Sequence, residues 1–87
     1  MIELHLNAST VTSRSDLHNL FANALSLPEW YGRNLDALHD CLTEQFEDVC
    51  ITMAEAELIG TLGERYVCQL ERLLRNCAEE NPHITLK

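Results

Sequence analysis

Four polar side chains in the middle of the chain have residue types and a spacing that could carry chemistry. The second, third and fourth lie three, four and seven residues after the first, which places all of them along one side of an α-helix: Asp36, His39, Asp40 and Thr43. Two carboxylates beside an imidazole could attract a cationic partner, hold a metal ion or transfer protons. A metal-dependent enzyme is disfavoured, because one helical turn does not easily aim three ligands at one ion. The pattern therefore favours recognition of a cationic partner, with an ordinary solvated helix face as the alternative.

Two adjacent aromatic residues, Trp30 and Tyr31, precede this acidic segment. A tryptophan on a loop is unfavourable unless it packs or binds, and Trp and Tyr are enriched among the residues that dominate interfaces. We therefore predict that Trp30 anchors a partner, while Tyr31 either binds as well or packs onto the core as a lid. Pro28 ends the preceding helix, and Gly32 is free to adopt a positive φ in the loop that spans residues 28–34.

The net charge of −8, from 14 acidic and 6 basic residues among 87, is distributed unevenly. Residues 29–57 hold eight acids and one base, Arg33, for a net −7, and the rest of the chain has a net −1. So acidic a chain lacks the basic surface that phosphate binding requires, and nucleic acid is therefore not expected as a partner. A one-sided acidic field instead favours the steering of a basic protein.

Three short segments have the pattern of β-strands: residues 1–7, 49–53 and 83–86. The first alternates apolar and polar residues, which predicts one solvated face, and the second is short and rich in apolar residues, as in an interior strand. Between the first two strands, helical periodicity predicts a helix that is capped by Ser13 or Ser15 and ends before Pro28. Its apolar stripe is Leu17, Leu20, Phe21, Ala24 and Leu25.

The other helical segments lie downstream of this first helix. Asn34 has the chemistry to cap a helix over residues 35–46, whose buried stripe is predicted to be Leu35, Leu38, Leu42 and Phe46. Residues 54–59 are predicted to form a short helix or turn. Thr61 and Glu64 have the spacing of a capping box for the last helix, which ends at Asn81-Pro82. Its core face is predicted to be Tyr66, Val67, Leu70, Leu73, Leu74 and Cys77.

Strands that are separated by helices imply parallel pairing through crossover connections. If the crossovers are right-handed and the strand order is sequential, the helices all lie on the same face of the sheet. We therefore predict an α/β fold, a two-layer sandwich in which helices pack on one face of a three-stranded parallel sheet of order 1-2-3. Its length predicts a single domain over residues 1–87.

No targeting or membrane segment is evident in the sequence. Residues 1–7 lack a basic n-region and an apolar h-region, and no run of about 18 apolar residues occurs. The cysteines lack Cys-x-x-Cys spacing and are predicted to be reduced thiols: Cys41, Cys50, Cys68 and Cys77. We therefore expect a cytoplasmic protein with no membrane association and no cofactor.

The segment that carries the aromatic pair and the acidic helix resembles the signature of the barstar family of intracellular ribonuclease inhibitors. The resemblance rests on Leu27-Pro28-Glu29-Trp30-Tyr31-Gly32, Asn34-Leu35-Asp36-Ala37-Leu38 and Asp40-Cys41-Leu42-Thr43. Ser15-Asp16-Leu17-His18 and Ile84-Thr85 are also similar, so the resemblance spans the whole chain if a short deletion precedes the last helix. It implies the same three-stranded parallel sandwich that the strand and helix pattern predicts.

The resemblance implies an inhibitor rather than an enzyme, monomeric when free, which binds one basic ribonuclease or related toxin. Loop 28–34 and helix 35–46 would plug the active site, and a carboxylate would enter the cationic pocket that holds the scissile phosphate. By the resemblance, Trp30 occupies the position of an interfacial tyrosine of the family. Asp36 and Asp40 occupy the positions of two interfacial aspartates, and Thr43 that of an interface threonine. Asn76 falls where the family has a partner-contacting glutamate. The predicted partner-binding residues are Trp30, Tyr31, Gly32, Asn34, Asp36, His39, Asp40, Thr43 and Asn76.

Three positions in this surface depart from the family pattern. His39 replaces an interfacial tryptophan, Gln45 replaces another aromatic residue, and Arg33 adds a positive charge to an otherwise acidic surface. These departures favour a cognate partner other than barnase itself. A binding module for a protein that is not a nuclease is the alternative interpretation.

Overall fold

The computed structural model describes residues 1–87 and contains three strands and four helices. In chain order they are β1 (Ile2–Leu6), α1 (Arg14–Leu25), α2 (Leu35–Thr43), β2 (Val49–Met53), α3 (Glu55–Leu62), α4 (Glu64–Glu80) and β3 (Ile84–Leu86). Both strand pairs are parallel, and the strand order is β1-β2-β3. The predicted α/β fold with its sequential three-stranded parallel sheet is confirmed.

The alternation along β1 shows how the sheet divides core from solvent. Leu4 and Leu6 are buried, whereas Glu3 and His5 between and beside them are exposed. Because successive strand residues point to opposite faces, one face of β1 is buried and the face that carries Glu3 and His5 is solvated. The core cluster of 19 residues draws on every strand and every helix, with members such as Leu4, Leu17, Leu38, Ile51, Leu58, Leu70 and Ile84.

Helix α1 begins and ends through local hydrogen bonds. Of the two predicted caps the chain uses Ser13, whose side chain accepts a hydrogen bond from the backbone N–H of Asp16. Ser26 ends the helix in the left-handed region at φ 53°, and its N–H donates to the carbonyl of Ala22. Of the predicted apolar stripe, Leu17, Phe21 and Leu25 are buried. Leu20 and Ala24 are half-buried.

Helix α2 starts as predicted but ends three residues early. The Asn34 side chain caps it by accepting a hydrogen bond from the N–H of Ala37 at 2.8 Å. The predicted burial of Phe46 is wrong, because the helix stops at Thr43 and the Phe46 side chain is 89% exposed. The cause is Asn81, a buried residue whose side-chain amide donates to the carbonyls of Leu42, Thr43 and Gln45 at 2.9, 3.4 and 3.0 Å. These carbonyls therefore need no helical partner further along the chain.

The predicted capping box at the start of the last helix is also wrong. Thr61 lies inside α3, which runs to Leu62, and its hydroxyl donates to the carbonyl of Leu58 at 3.3 Å. Gly63 separates α3 from α4 at φ 90°, a conformation that glycine adopts without strain, and α4 has no side-chain cap. The predicted core face of α4 is buried except for Leu73, which is half-buried. None of the four helices combines the length with the apolar composition that a membrane span requires.

Replacing Asn81 with Ala should lower the free energy of unfolding by about 2 kcal/mol, because the carbonyls at the end of α2 lose a buried donor. Urea denaturation followed by circular dichroism measures this change. The control is Asn23→Ala, an exposed position on α1, which should stay within about 0.5 kcal/mol of the wild type. Equal stabilities of the two variants would contradict the role of Asn81.

Candidate functional site

The loop between α1 and α2 presents one aromatic side chain to solvent. The N–H of Tyr31 donates to the carbonyl of Pro28 at 3.0 Å, and the resulting turn leaves Trp30 83% exposed. Gly32 does not use its freedom to adopt a positive φ; the neighbouring Arg33 has one instead, at 53°. Gly32 serves a close approach: a Cβ there would lie 3.2 Å from the Asn34 amide nitrogen and 3.3 Å from the Ala37 Cβ.

Of the two alternatives predicted for Tyr31, the structure has the one in which the ring packs onto the core, because only 6% of the residue is exposed. Its hydroxyl is hydrogen-bonded to Nδ1 of the buried His18 at 2.7 Å, and Nε2 of His18 lies 3.4 Å from the Tyr66 hydroxyl. Burial raises the pKa of Tyr31 to about 12, so the hydroxyl stays protonated. This chain of three side chains fastens the loop to α1 and α4, and leaves Trp30 as the ring that a partner could reach.

The predicted polar ridge on α2 is largely exposed. Asp36 and Asp40 face solvent, whereas Thr43 is half-buried and its hydroxyl donates to the carbonyl of Asp40 at 3.0 Å. His39 is 34% exposed, with Nδ1 3.7 Å from an Asp40 carboxylate oxygen and Nε2 3.4 Å from a Glu80 carboxylate oxygen. The imidazole therefore lies between two carboxylates. No group of three or more His, Cys, Asp or Glu side chains has the arrangement of a metal site.

Two hollows flank α2, and most of the predicted partner-binding residues line one or the other. The first, of about 460 Å³, lies between α2 and α4, where Asn34, Asp36 and His39 face Gln69, Arg72 and Asn76. Asn76, which is 40 residues from Asp36 in the sequence, is thus part of the same depression. Gln69 and Arg72 were not anticipated, because on α4 their spacing indicates only a solvent-facing side.

The second hollow, of about 330 Å³, brings Trp30 together with Asp40. Gly32 and Glu44 also line it. Glu44 was missed by the sequence interpretation, although its position four residues after Asp40 would have indicated it. The loop and α2 thus place an exposed indole beside two carboxylates, an arrangement suited to a partner that offers cations around an apolar contact.

Two comparisons with known proteins decide the family. A family model described as Barstar (barnase inhibitor) matches residues 1–85. The chain belongs to the barstar family. It is also similar to a Bacillus subtilis (strain 168) protein named "Putative ribonuclease inhibitor YrdF", with 32% identity over 65 residues, which are 74% of this chain and 71% of that protein. The resemblance seen in the sequence is confirmed, and the family consists of inhibitors rather than enzymes.

Within this barstar-family surface, Arg33 does not add its charge to the ridge on α2. Its guanidinium donates to the backbone carbonyl of Ser15 at 3.5 Å and to the side-chain oxygen of Asn19, so it lies against α1. There it lines a separate cleft with Arg14 and Tyr66, and the Arg14 guanidinium stacks 4.3 Å from the centre of the Tyr66 ring. The guanidinium of Arg33 is therefore bound to α1 and forms no ion pair with the carboxylates of α2.

Acidification should destabilise this barstar-family chain through His18. Burial, and secondarily the charge of Arg33, lowers the pKa of His18 in the folded state. Because the unfolded chain binds the proton more tightly, the stability that His18 gives is present above its unfolded pKa of about 6.5 and is lost as the pH falls through the folded pKa. The urea concentration at the midpoint of unfolding should therefore be lower at pH 5 than at pH 7.5.

Two variants separate His18 from the other histidines in this measurement. His18→Gln should show a smaller decline between the two pH values, whereas His5→Gln, on the solvated face of the sheet, should decline as the wild type does. A wild-type midpoint that is the same at both pH values would contradict the assignment.

Proposed function

We propose that this chain inhibits a small basic ribonuclease or a related toxin by occluding its active site, one to one, through loop 28–34 and α2. The observation that carries the proposal is that Trp30 and Asp40, both exposed, line one hollow of an acidic surface in a barstar-family chain. The similar Bacillus subtilis protein is named a ribonuclease inhibitor, which supports the same class of partner.

The chemistry of Asp40 suits the mimicry of a phosphate. Its side chain is 82% exposed, and the one basic side chain with a nitrogen within 4 Å of its carboxylate is His39. A carboxylate in this state can accept two or more charge-assisted hydrogen bonds from Arg, Lys or His side chains that would otherwise hold a substrate phosphate. Asp36, at the start of α2, faces the neighbouring hollow and would meet further cations of the same pocket.

The overall charge supports a basic partner. With a net −8, and eight of its acids between residues 29 and 57, the chain carries most of its negative charge in the segment that contains loop 28–34 and α2. The field of such a charge raises the rate of encounter with a cationic protein and weakens as salt is added. We also propose that the free chain is a monomer in the cytoplasm.

The polar character of the hollow between α2 and α4 supports a second candidate. His39, Gln69, Arg72 and Asn76 line it, so its wall is made largely of amides, an imidazole and a guanidinium. This composition is not specific to a nuclease, and it suits a protein partner that is not a nuclease as well as a divergent ribonuclease. Titration of the chain against a panel of barnase-type ribonucleases distinguishes the candidates, because a non-nuclease partner predicts no inhibition of any member.

Removing the Asp40 carboxylate should weaken the complex most. We expect Asp40→Ala to raise the Kd for the inhibited ribonuclease on the order of 100-fold or more, since the loss of one partner from a buried charge pair costs about 2–5 kcal/mol. Trp30→Ala should rank second. Inhibition titration at fixed salt measures both changes.

The control for Asp40→Ala is Glu3→Ala, which changes the net charge equally on the solvated face of the sheet. It should alter the Kd no more than a few-fold, as expected for a distant screened charge. An undiminished complex after both the Asp40 and the Trp30 substitutions would overturn the proposal.

Binding should weaken as His39 becomes protonated. Protonation adds a positive charge between Asp40 and Glu80, so it reduces the negative field that a cationic pocket meets. The Kd measured by titration should be higher at pH 5.5 than at pH 7.5, and the His39→Gln variant should lose part of that difference. Ionisable groups of the partner affect the wild type and the His39→Gln variant equally, so the difference between the two pH profiles reports on His39. Identical profiles for the wild type and the variant would refute the role of His39.

A further inference from the structure

The cleft that Arg33 shares with Arg14 and Tyr66 is a cationic region on an acidic protein. It has a volume of about 260 Å³ and is lined by the start of α1, the end of loop 28–34 and the start of α4. Two of the six Lys and Arg residues of the chain line it, and none of the 14 acidic residues does. Its charge is therefore opposite in sign to the net charge of the molecule.

The guanidinium of Arg14 is oriented by stacking rather than by a polar partner. It lies 4.3 Å from the centre of the Tyr66 ring. Stacking uses the flat face of the guanidinium and leaves its N–H donors, which lie in the plane of the group, available to an acceptor. The one arginine of the chain that forms an ion pair is Arg75 on α4, so the charge of Arg14 is not compensated by a carboxylate.

The guanidinium of Arg33 is held by one of its nitrogens and leaves the other two free. Nη2 donates to the carbonyl of Ser15 at 3.5 Å and to the side-chain oxygen of Asn19, whereas Nε and Nη1 have no acceptor within the protein. The charge of Arg33 acts on the wall of the cleft, since after burial it is the second cause that lowers the pKa of His18. This guanidinium is thus positioned, charged and able to donate further hydrogen bonds.

The acids in the first turns of α1, α2 and α4 do not neutralise the cleft. The carboxylate of Asp16 on α1 accepts from the N–H of Thr12 at 3.1 Å and from its hydroxyl. Asp36 on α2 lines the hollow between α2 and α4, and Glu64 lines a different depression on α4. The first residues of α1 and α2 line the cleft as well, and the N-terminal end of a helix adds partial positive charge.

We propose that this cleft binds the phosphate group of a small molecule, with the guanidinium groups of Arg14 and Arg33 donating to its oxygens. Each guanidinium presents a fork of N–H donors that matches two phosphate oxygens. Two forks from separate elements can hold a tetrahedral dianion from two directions, whereas a carboxylate offers only two oxygens in one plane. The site includes no carboxylate of α2, so the inference is independent of the proposed function.

The net charge restricts the size of this ligand. A long nucleic acid would be repelled by a chain of net −8, so the ligand is free phosphate or a small phosphate monoester rather than a polymer. These two sources offer the same chemistry to the cleft. They differ in whether a group attached to the phosphate adds to the affinity.

Binding is measured on the full chain, labelled with ¹⁵N, from amide NMR spectra recorded as sodium phosphate is added at constant ionic strength. We expect saturable shifts at residues 14–18 and 33–35, with a Kd of about 1 mM or lower. Sodium acetate at the same ionic strength should give no saturable shift there. Thermal stability is a poorer measure, because phosphate also stabilises folded proteins by exclusion from their surface.

A second titration, with adenosine 5′-monophosphate, distinguishes the two sources of the phosphate group. A Kd at least roughly 10-fold below that of inorganic phosphate would assign the cleft to a phosphate monoester. Equal Kd values for the two compounds would assign it to free phosphate.

Variants of the two arginines test their roles. Arg14→Gln should raise the Kd for phosphate roughly 10-fold or more, because charge-assisted hydrogen bonds are lost. Arg33→Gly should have a similar effect, and glycine adopts the φ of 53° at this position without strain. The matched control is Arg65→Gln, which removes the same charge from an exposed position of α4 outside the cleft and should change the Kd no more than about twofold.

Three results would each contradict the phosphate site: no saturable shift at the cleft, equal responses to phosphate and acetate, or unchanged phosphate binding by Arg14→Gln. Arg14 is exposed and makes no hydrogen bond to the rest of the chain, so this variant should fold. It therefore decides the question even if Arg33→Gly is unstable. Its spectrum away from the cleft should match that of the wild type.

Discussion

The side chain of Asn81 is the contact on which much of the architecture depends. Its side-chain nitrogen donates to carbonyls at the end of α2, and its side-chain oxygen accepts a hydrogen bond from the N–H of His83, just before β3. Its backbone N–H donates to the carbonyl of Cys77 at the end of α4. A single buried residue thus joins the ends of two helices to the start of the last strand. Because an unsatisfied polar group at this depth is unfavourable, the position of each of these elements constrains the other two.

The same contact explains where sequence interpretation succeeded and where it failed. The strands and the cap of α2 are determined by neighbouring residues, so their boundaries could be predicted to within one or two positions. The end of α2 is set by Asn81, which is 36 residues from Gln45, and no local pattern contains that information. Helical periodicity continued to Phe46 and predicted burial, whereas the tertiary contact ended the helix and exposed the ring.

The candidate site shows the same division. The spacing of Asp36 and Asp40 on one side of a helix was enough to predict two exposed carboxylates. The different environments of Trp30 and Tyr31 were not predictable, because the distinction comes from His18 and Tyr66, on two other helices. The position of the His39 ring likewise depends on Glu80, a residue of α4 that no motif near His39 indicates. The family resemblance supplied Asn76, which periodicity alone would have left as an ordinary surface residue.

Trp30 is the only tryptophan of the chain, and it lies on the surface. Its indole is already hydrated in the native state, so its fluorescence emission should change little when the chain unfolds. A partner that covers the ring would remove that water and shift the emission to shorter wavelengths. The intrinsic fluorescence of this protein is therefore a probe of complex formation rather than of folding, and folding has to be followed through the backbone.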